Sequence, residues 1–255
     1  MGELVGTALF VLIGSAVAAN LLLSRTRGES GGAGGNWIVL TTGWAMALFV
    51  GAAVAAPASG AHLNPAVTLG FWQMGRLPTS SLGVYLGGQF AGATIGAILA
   101  WLLFLPHWGR TDGPSRKLGA FAPSPAIRAP LSNCFSEALA TFIFVFGLLA
   151  FREAAITPAA GVTPSSIQAL SAVNIELDAI GAIPMALLFW AVALGLGGTT
   201  TFAINPARDF APRLVHALAP IPGKGSSDWG YAWVPLVGPT IGGLAAAGVG
   251  KVVGL

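Results

Sequence analysis

Six apolar runs divide the chain, each about the length that crosses a bilayer core: Gly2–Leu23, Trp37–Ala56, Leu82–Leu105, Leu131–Phe151, Ala179–Gly197 and Tyr231–Val253. Such a crossing takes about 20 residues. With no water in the hydrocarbon region, every backbone N–H and C=O has to be satisfied within the segment, so these runs predict spanning helices rather than open strands. Composition removes the soluble alternative. Of the 255 residues 55% are hydrophobic and 8% charged, against about 25% charged in soluble domains. The net charge of +3 rests on few groups and gives no support to a nucleic-acid partner. One cysteine, Cys134, excludes an internal disulfide and a Cys-based metal cluster. The first run lacks a basic leader, carries Glu3 and outlasts a signal-peptide core, so it reads as a span. Thirty-six glycines point to helices packed at close range, as small residues allow in lipid.

Two shorter apolar stretches, Asn64–Met74 and Asn205–Leu218, cannot span, and each opens with Asn-Pro-Ala: Asn64-Pro65-Ala66 and Asn205-Pro206-Ala207. Asn is a favoured N-cap and Pro suits the first helical position, so each tripeptide starts a helix. An interfacial amphipathic helix would carry a basic face; Asn64–Met74 has none, which favours a re-entrant half-helix. The halves then repeat. Glu3-x-x-x-Thr7 opens the first run and Glu137-x-x-x-Thr141 the fourth, and an Asn-Pro-Ala turn follows the second and the fifth. Three spans per half is odd, so the second half enters from the opposite face and the repeat is inverted. The units are 1–105, a connecting loop 106–130, and 131–255. The half-helices enter from opposite faces and their N-termini meet near the midplane. Arg152–Asp178 reads as a second long polar loop.

Facing helix N-termini present free N–H groups and about half a positive charge each, an arrangement that admits a polar solute and repels a cation or proton. Asn64 and Asn205 would cap with their side-chain oxygens and leave their amide NH2 groups to donate into a lumen. The segments before them, Gly60-Ala61-His62 and Thr201-Phe202-Ala203, are non-helical. Irregular backbone at this depth is tolerated where it lines a cavity, so their carbonyls are expected to form an acceptor ladder. His62 either faces the lumen or satisfies its own loop. Arg208, three residues after Asn205, has Val67 as its counterpart; a membrane-buried cation is a functional hypothesis by default, here one wall of a constriction. Asp209 suits the start of a helix and holds the turn. Glu3 and Glu137 are read as acceptors for backbone N–H groups of the irregular segments, and a proton-coupled transporter would use them otherwise. No nucleophile elbow, phosphate loop or metal spacing appears, so neither an enzyme nor a cofactor is expected. His107 and His216 read as structural residues toward loops.

GELVGT, SGAHLNPAVT, the QFAGA run, SEALATF, NPARDFAPR and VGPTIGG together resemble the aquaporin, or major intrinsic protein, family over nearly the whole chain. The resemblance implies an all-α membrane protein of six spans and two half-helices, a pore in each subunit, and a homotetramer embedded in membrane lipid. It implies a narrowest point built from Trp44, Ala193, Phe202 and Arg208. Water-specific members place a histidine at the fifth-span position, and no histidine occurs between Leu170 and Ala207 here. Trp44 and Phe202 then make an apolar corner facing an arginine, and Asp209 after the motif is similar to glycerol facilitators. The expectation is an aquaglyceroporin: a passive channel for glycerol, related small neutral polyols and some water. Water, urea, metalloid acids or lactic acid are alternative solutes, and a proton-coupled transporter is the alternative class. Thr201 departs from the glycine frequent in bacterial glycerol facilitators. The family places both termini in the cytoplasm of a cell whose plasma membrane the protein spans. The positive-inside rule argues the reverse, because Arg25, Arg27, Arg110, Arg116, Lys117, Arg128, Arg213 and Lys224 oppose the N-terminal face, which holds Arg76, Arg152 and Lys251.

Overall fold

A computed structural model describes residues 1–29, 36–151 and 178–255. The loop expected over Arg152–Asp178, with the charge of Arg152, lies outside the described residues except for its final position. The helices are α1 (Gly2–Leu22), α2 (Trp37–Ser59), α3 (Pro65–Gln73), α4 (Thr79–Leu103), α5 (Leu105–Trp108), α6 (Pro114–Gly119), α7 (Pro130–Ala150), α8 (Ile183–Leu196), α9 (Pro206–Leu218) and α10 (Trp233–Val253). Helices α1, α2, α4, α7 and α10 are long and apolar enough to cross a membrane, and α8 becomes so with its flanking 3-10 turns, as Ile180–Thr199. The described residues contain no strand. The protein is therefore a multi-pass, all-α membrane protein with six spans and two half-helices, α3 and α9, as the sequence predicts.

Small residues set the distances between spans. Helix α1 packs on α4, and α7 on α10. A β-carbon added at Gly92 would stand 2.2 Å from the Leu4 carbonyl oxygen, and one at Gly242 the same 2.2 Å from that of Ala138. Backbones approach this closely only where side chains are absent. The halves also interlock. Half-helix α3 packs against α10, the last span of the other half, while α9 packs against α4 and α2 against α8. Outward faces carry large apolar side chains, including Val84, Leu103, Phe135 and Ile241, which lipid accepts and water would not.

The connection expected as an irregular polar loop over 106–130 is partly folded. It contains α6 and most of α5. Trp108 and Phe121 stack at 5.2 Å and are buried, and Arg116 and Lys117 donate to the carbonyls of Leu22 and Pro222, so apolar burial and anchored cations together hold its path.

Candidate functional site

The two Asn-Pro-Ala turns meet. Asn64 accepts the Ala66 N–H at 2.9 Å, and Asn205 accepts the N–H groups of Ala207 at 3.0 Å and Arg208 at 3.1 Å. Each asparagine thus caps its half-helix while Pro65 and Pro206 open them. The sequence reading left both amide NH2 groups to the lumen, but one N–H of each is taken by the other half. Asn64 Nδ2 donates to the Ile204 carbonyl at 2.9 Å and Asn205 Nδ2 to the Leu63 carbonyl at 2.8 Å. Each amide keeps one further N–H beyond this reciprocal bond, since a carboxamide carries two. The physical reason is burial: an unpaired amide this deep costs about 1–3 kcal/mol, and the other half's carbonyl lies within reach.

The backbone before each asparagine is strained in a matched pattern. Gly60, Ala61 and Leu63 have φ of 74°, 55° and 51°, and Thr201, Phe202 and Ile204 have 63°, 42° and 55°. Left-handed conformations cost non-glycine residues about 1–2 kcal/mol each and persist where the surroundings impose them. Two buried carboxylates do so here. Glu3 accepts the N–H groups of His62 at 2.9 Å and Leu63 at 2.7 Å, while Glu137 accepts those of Ala203 at 2.9 Å and Ile204 at 2.8 Å. Glu3 also accepts from the Ser59 hydroxyl and the Gln89 amide, each at 2.7 Å.

Arg208 is 3% exposed. Its guanidinium lies 4.0 Å from the Trp44 ring centroid and 6.0 Å from that of Phe202. Among the described residues its Nε and Nη1 have no hydrogen-bond acceptor, and the guanidinium rests against ring faces. Close approach by glycine supports both rings: a β-carbon at Gly14 would sit 2.2 Å from Trp44 Cε3, and one at Gly197 2.5 Å from Phe202 Cδ1. Ala193 is buried on α8, and its carbonyl accepts the Gly197 N–H at the helix end.

Asp209 works through a partner that sequence reasoning left among the surface charges. It makes a buried two-pronged pair with Arg213, Oδ1 to Nε at 2.9 Å and Oδ2 to Nη2 at 2.6 Å. Arg213 then donates to the carbonyls of Ser227 at 2.8 Å and Pro123 at 3.2 Å, pinning two loops to α9. The signal was the i,i+4 spacing. His216, read as structural, is fully buried in the last turn of α9 and bonded to Ser227 Oγ at 2.8 Å; its ring also meets Phe121 edge-on.

Two cavities open at opposite ends of the junction. The one on the Arg208 side, outer with respect to the expected cytoplasmic termini, has about 270 Å³ and is lined by Trp37, Leu40, Trp44, Ser124, Thr201 and Arg208, among others. An inner one of about 800 Å³ is lined by Gly60, His62, Phe71, Arg76 and Tyr85, among others. His62 therefore borders a cavity, and it also bonds Thr68 Oγ1 at 3.2 Å through Nδ1. Arg116 meets Glu29 at 3.1 Å, and the Arg25 backbone N–H, then Arg116, hold the Glu29 carboxyl below its ordinary range. Among the described residues no three His, Cys, Asp or Glu side chains gather as metal ligands.

Residues 1–249 match the family model described as Major intrinsic protein. The chain is 40% identical to a probable glycerol uptake facilitator protein of Thermotoga maritima, over 97% of this chain and 95% of that one. It is also 40% identical to the glycerol uptake facilitator protein of Bacillus subtilis, over 95% and 80%. Among solved structures, the X-ray structure of the aquaglyceroporin from Plasmodium falciparum superposes with a TM-score of 0.77 at 26% identity, covering 99% of this chain and 94% of that one. With the family model spanning the chain and the paired turns in place, this protein belongs to the major intrinsic protein family.

Proposed function

We propose that the protein is a passive transmembrane channel that lets glycerol, related small neutral polyols and some water diffuse across the membrane while excluding protons and ions. The observation that carries this reading is a buried guanidinium set against two aromatic rings in the wall of the cavity that Arg208 lines. A polyol has one face of hydroxyls and one of C–H groups. Arg208 supplies donors for the first, while Trp44 and Phe202 supply apolar contact for the second. Ala193 completes the narrow ring, its small side chain leaving room for a carbon chain. The carbonyls of Gly60, Ala61, His62, Thr201, Phe202 and Ala203 serve as acceptors along the path. A cation meets both Arg208 and the positive ends of α3 and α9, so it is rejected without any moving part. The relatives named above as glycerol uptake facilitators support the choice of solute.

The reading extends to organisation. Units 1–105 and 131–255 act as the two inverted repeats, joined through 106–130. The protein works without cofactor or catalysis as a homotetramer in the plasma membrane, with both termini cytoplasmic. Much of the opposing charge is held in built structure and not in short free loops: Arg213 is buried, and Arg116 is paired. The positive-inside rule weighs such residues weakly.

Stopped-flow light scattering on proteoliposomes tests the function. Glycerol permeability is expected to exceed that of empty vesicles with no dependence on a pH gradient. Water flux without glycerol flux would sink the polyol reading, and gradient-dependent uptake would sink the channel class.

A further inference from the structure

The outer cavity contains an aromatic side chain that the constriction does not use. Trp37 stands at the start of α2, seven residues before Trp44, and both line the same cavity with Leu40 between them. Seven helical residues make nearly two turns and rise about 10 Å, so the two indoles lie on one helix face, one beyond the other along the approach to Arg208. The orientation of Trp37 is fixed twice. Its Nε1 donates to the Leu194 carbonyl at 3.1 Å, which uses its only donor, and its ring meets Phe202 edge-on at 5.4 Å. What Trp37 adds to the cavity is therefore apolar surface. The other wall is polar: Ser124, Thr201 and Arg208 border it, and Thr201 Oγ1 is bonded to the Ser124 carbonyl at 2.8 Å, which ties that rim to the segment carrying Phe202. At about 270 Å³ the space is near the lower end of the range for small-molecule sites, about 300–1,000 Å³.

We propose that Trp37 is a further specificity-determining residue, which continues the apolar wall of the filter outward and favours linear polyols longer than three carbons. The inference rests on the channel reading above. A three-carbon solute held at Arg208 has less carbon chain to lay along Trp37 than a longer one has. A linear five-carbon polyol extends further outward, with its C–H face along Trp37, Leu40 and Trp44 and its hydroxyls toward Ser124, Thr201 and Arg208. The longer the solute, the more of its binding free energy comes from Trp37.

The test compares fluxes of xylitol and glycerol in one proteoliposome preparation, for the parent protein, Trp37→Ala and Trp37→Phe. Removing an indole face of this size is expected to lower the xylitol-to-glycerol flux ratio about tenfold. Trp37→Phe, which keeps a ring but loses the bond to Leu194, is expected to retain most of the ratio. Equal losses for both solutes in Trp37→Ala would overturn the proposal, since that is the mark of a general defect. So would a Trp37→Phe ratio as low as that of Trp37→Ala, which would place the effect in the Leu194 bond. A parent protein that conducts glycerol but excludes xylitol would overturn it too and leave the channel reading standing. A parent protein that conducts neither would remove the channel reading itself, and this proposal with it.

Discussion

Between Gly60 and Ala66 the backbone follows a path that it repeats between Thr201 and Ala207. Three residues in each stretch are left-handed at matching places, two N–H groups of each are held by a glutamate, and each asparagine donates to the carbonyl that precedes the other. The side chains do not repeat. Gly60 faces Thr201 in this correspondence, Ala61 faces Phe202, Val67 faces Arg208, Thr68 faces Asp209 and Trp72 faces Arg213. On the inner side, Thr68 and Glu3 are both bonded by the Gln89 amide, at 2.8 and 2.7 Å. On the outer side an ion pair takes that place. On the channel reading proposed above, the shared helix starts oppose charge together with Arg208, and the unshared side chains select the neutral solute.

Removing the outer ion pair should separate the two sides most strongly. Arg213→Ala leaves Asp209 as an uncompensated buried charge, a change worth about 3–5 kcal/mol. A large fall in the thermal midpoint of the detergent-solubilised protein is expected, with little such change for Trp72→Ala at the matching inner position. Comparable losses from the two variants would mean that the halves are supported alike. The glutamates sharpen the contrast next. Glu3→Gln and Glu137→Gln each turn an acceptor into a donor facing backbone N–H groups, at about 1–3 kcal/mol for each group left unpaired. Glu3, which also holds Ser59 and Gln89, should be the costlier of the two; denaturant titration would show the reverse order if Glu137 carried more.

Arg208→Val copies the inner residue onto the outer side. The glycerol-to-water flux ratio should change by about tenfold, or ~1.4 kcal/mol, and proton leak should rise. Val67→Ala should leave the ratio within about twofold on the same scale, and equal shifts from the two would dissolve the asymmetry. The smallest contrast lies at the first left-handed position. A β-carbon at Gly60 meets nothing within 4 Å, so Gly60→Thr should cost only the conformational penalty of about 1–2 kcal/mol. Thr201→Gly relieves a similar penalty and gives up a hydroxyl bond to Ser124 worth about 1 kcal/mol. Its stability should stay near that of the parent, and a marked loss would show that the bond to Ser124 matters more than the strain.

Length and apolarity were enough to read the spans from the sequence, because lipid leaves a backbone few ways to satisfy itself. The half-helices were legible from Asn-Pro-Ala, and the inversion from an odd number of spans per repeat. The contacts that join the halves were not. Asn64 and Ile204 are bonded across 140 positions, and no local pattern announces a bond made by folding one repeat onto another. Arg213 was hidden for a different reason: near a run of loop charges it reads as one of them, although its spacing from Asp209 was in view. Trp37 was overlooked because a tryptophan at a helix start is common at a membrane surface, and only the cavity shows which way this one faces.

The packing of α3 on α10 bears on how the protein is made. The chain emerges from its N-terminus, so the turn at Asn64 is synthesised long before α10 and before the Ile204 carbonyl that accepts from it. Until those arrive, α3 has no cover from α10, and its amide lacks its partner in the other repeat. Nascent chains cut short before Trp233 should therefore leave this stretch open to a thiol reagent at a cysteine placed in it, and full-length chains should close it. The barrier is complete only when the last helix is.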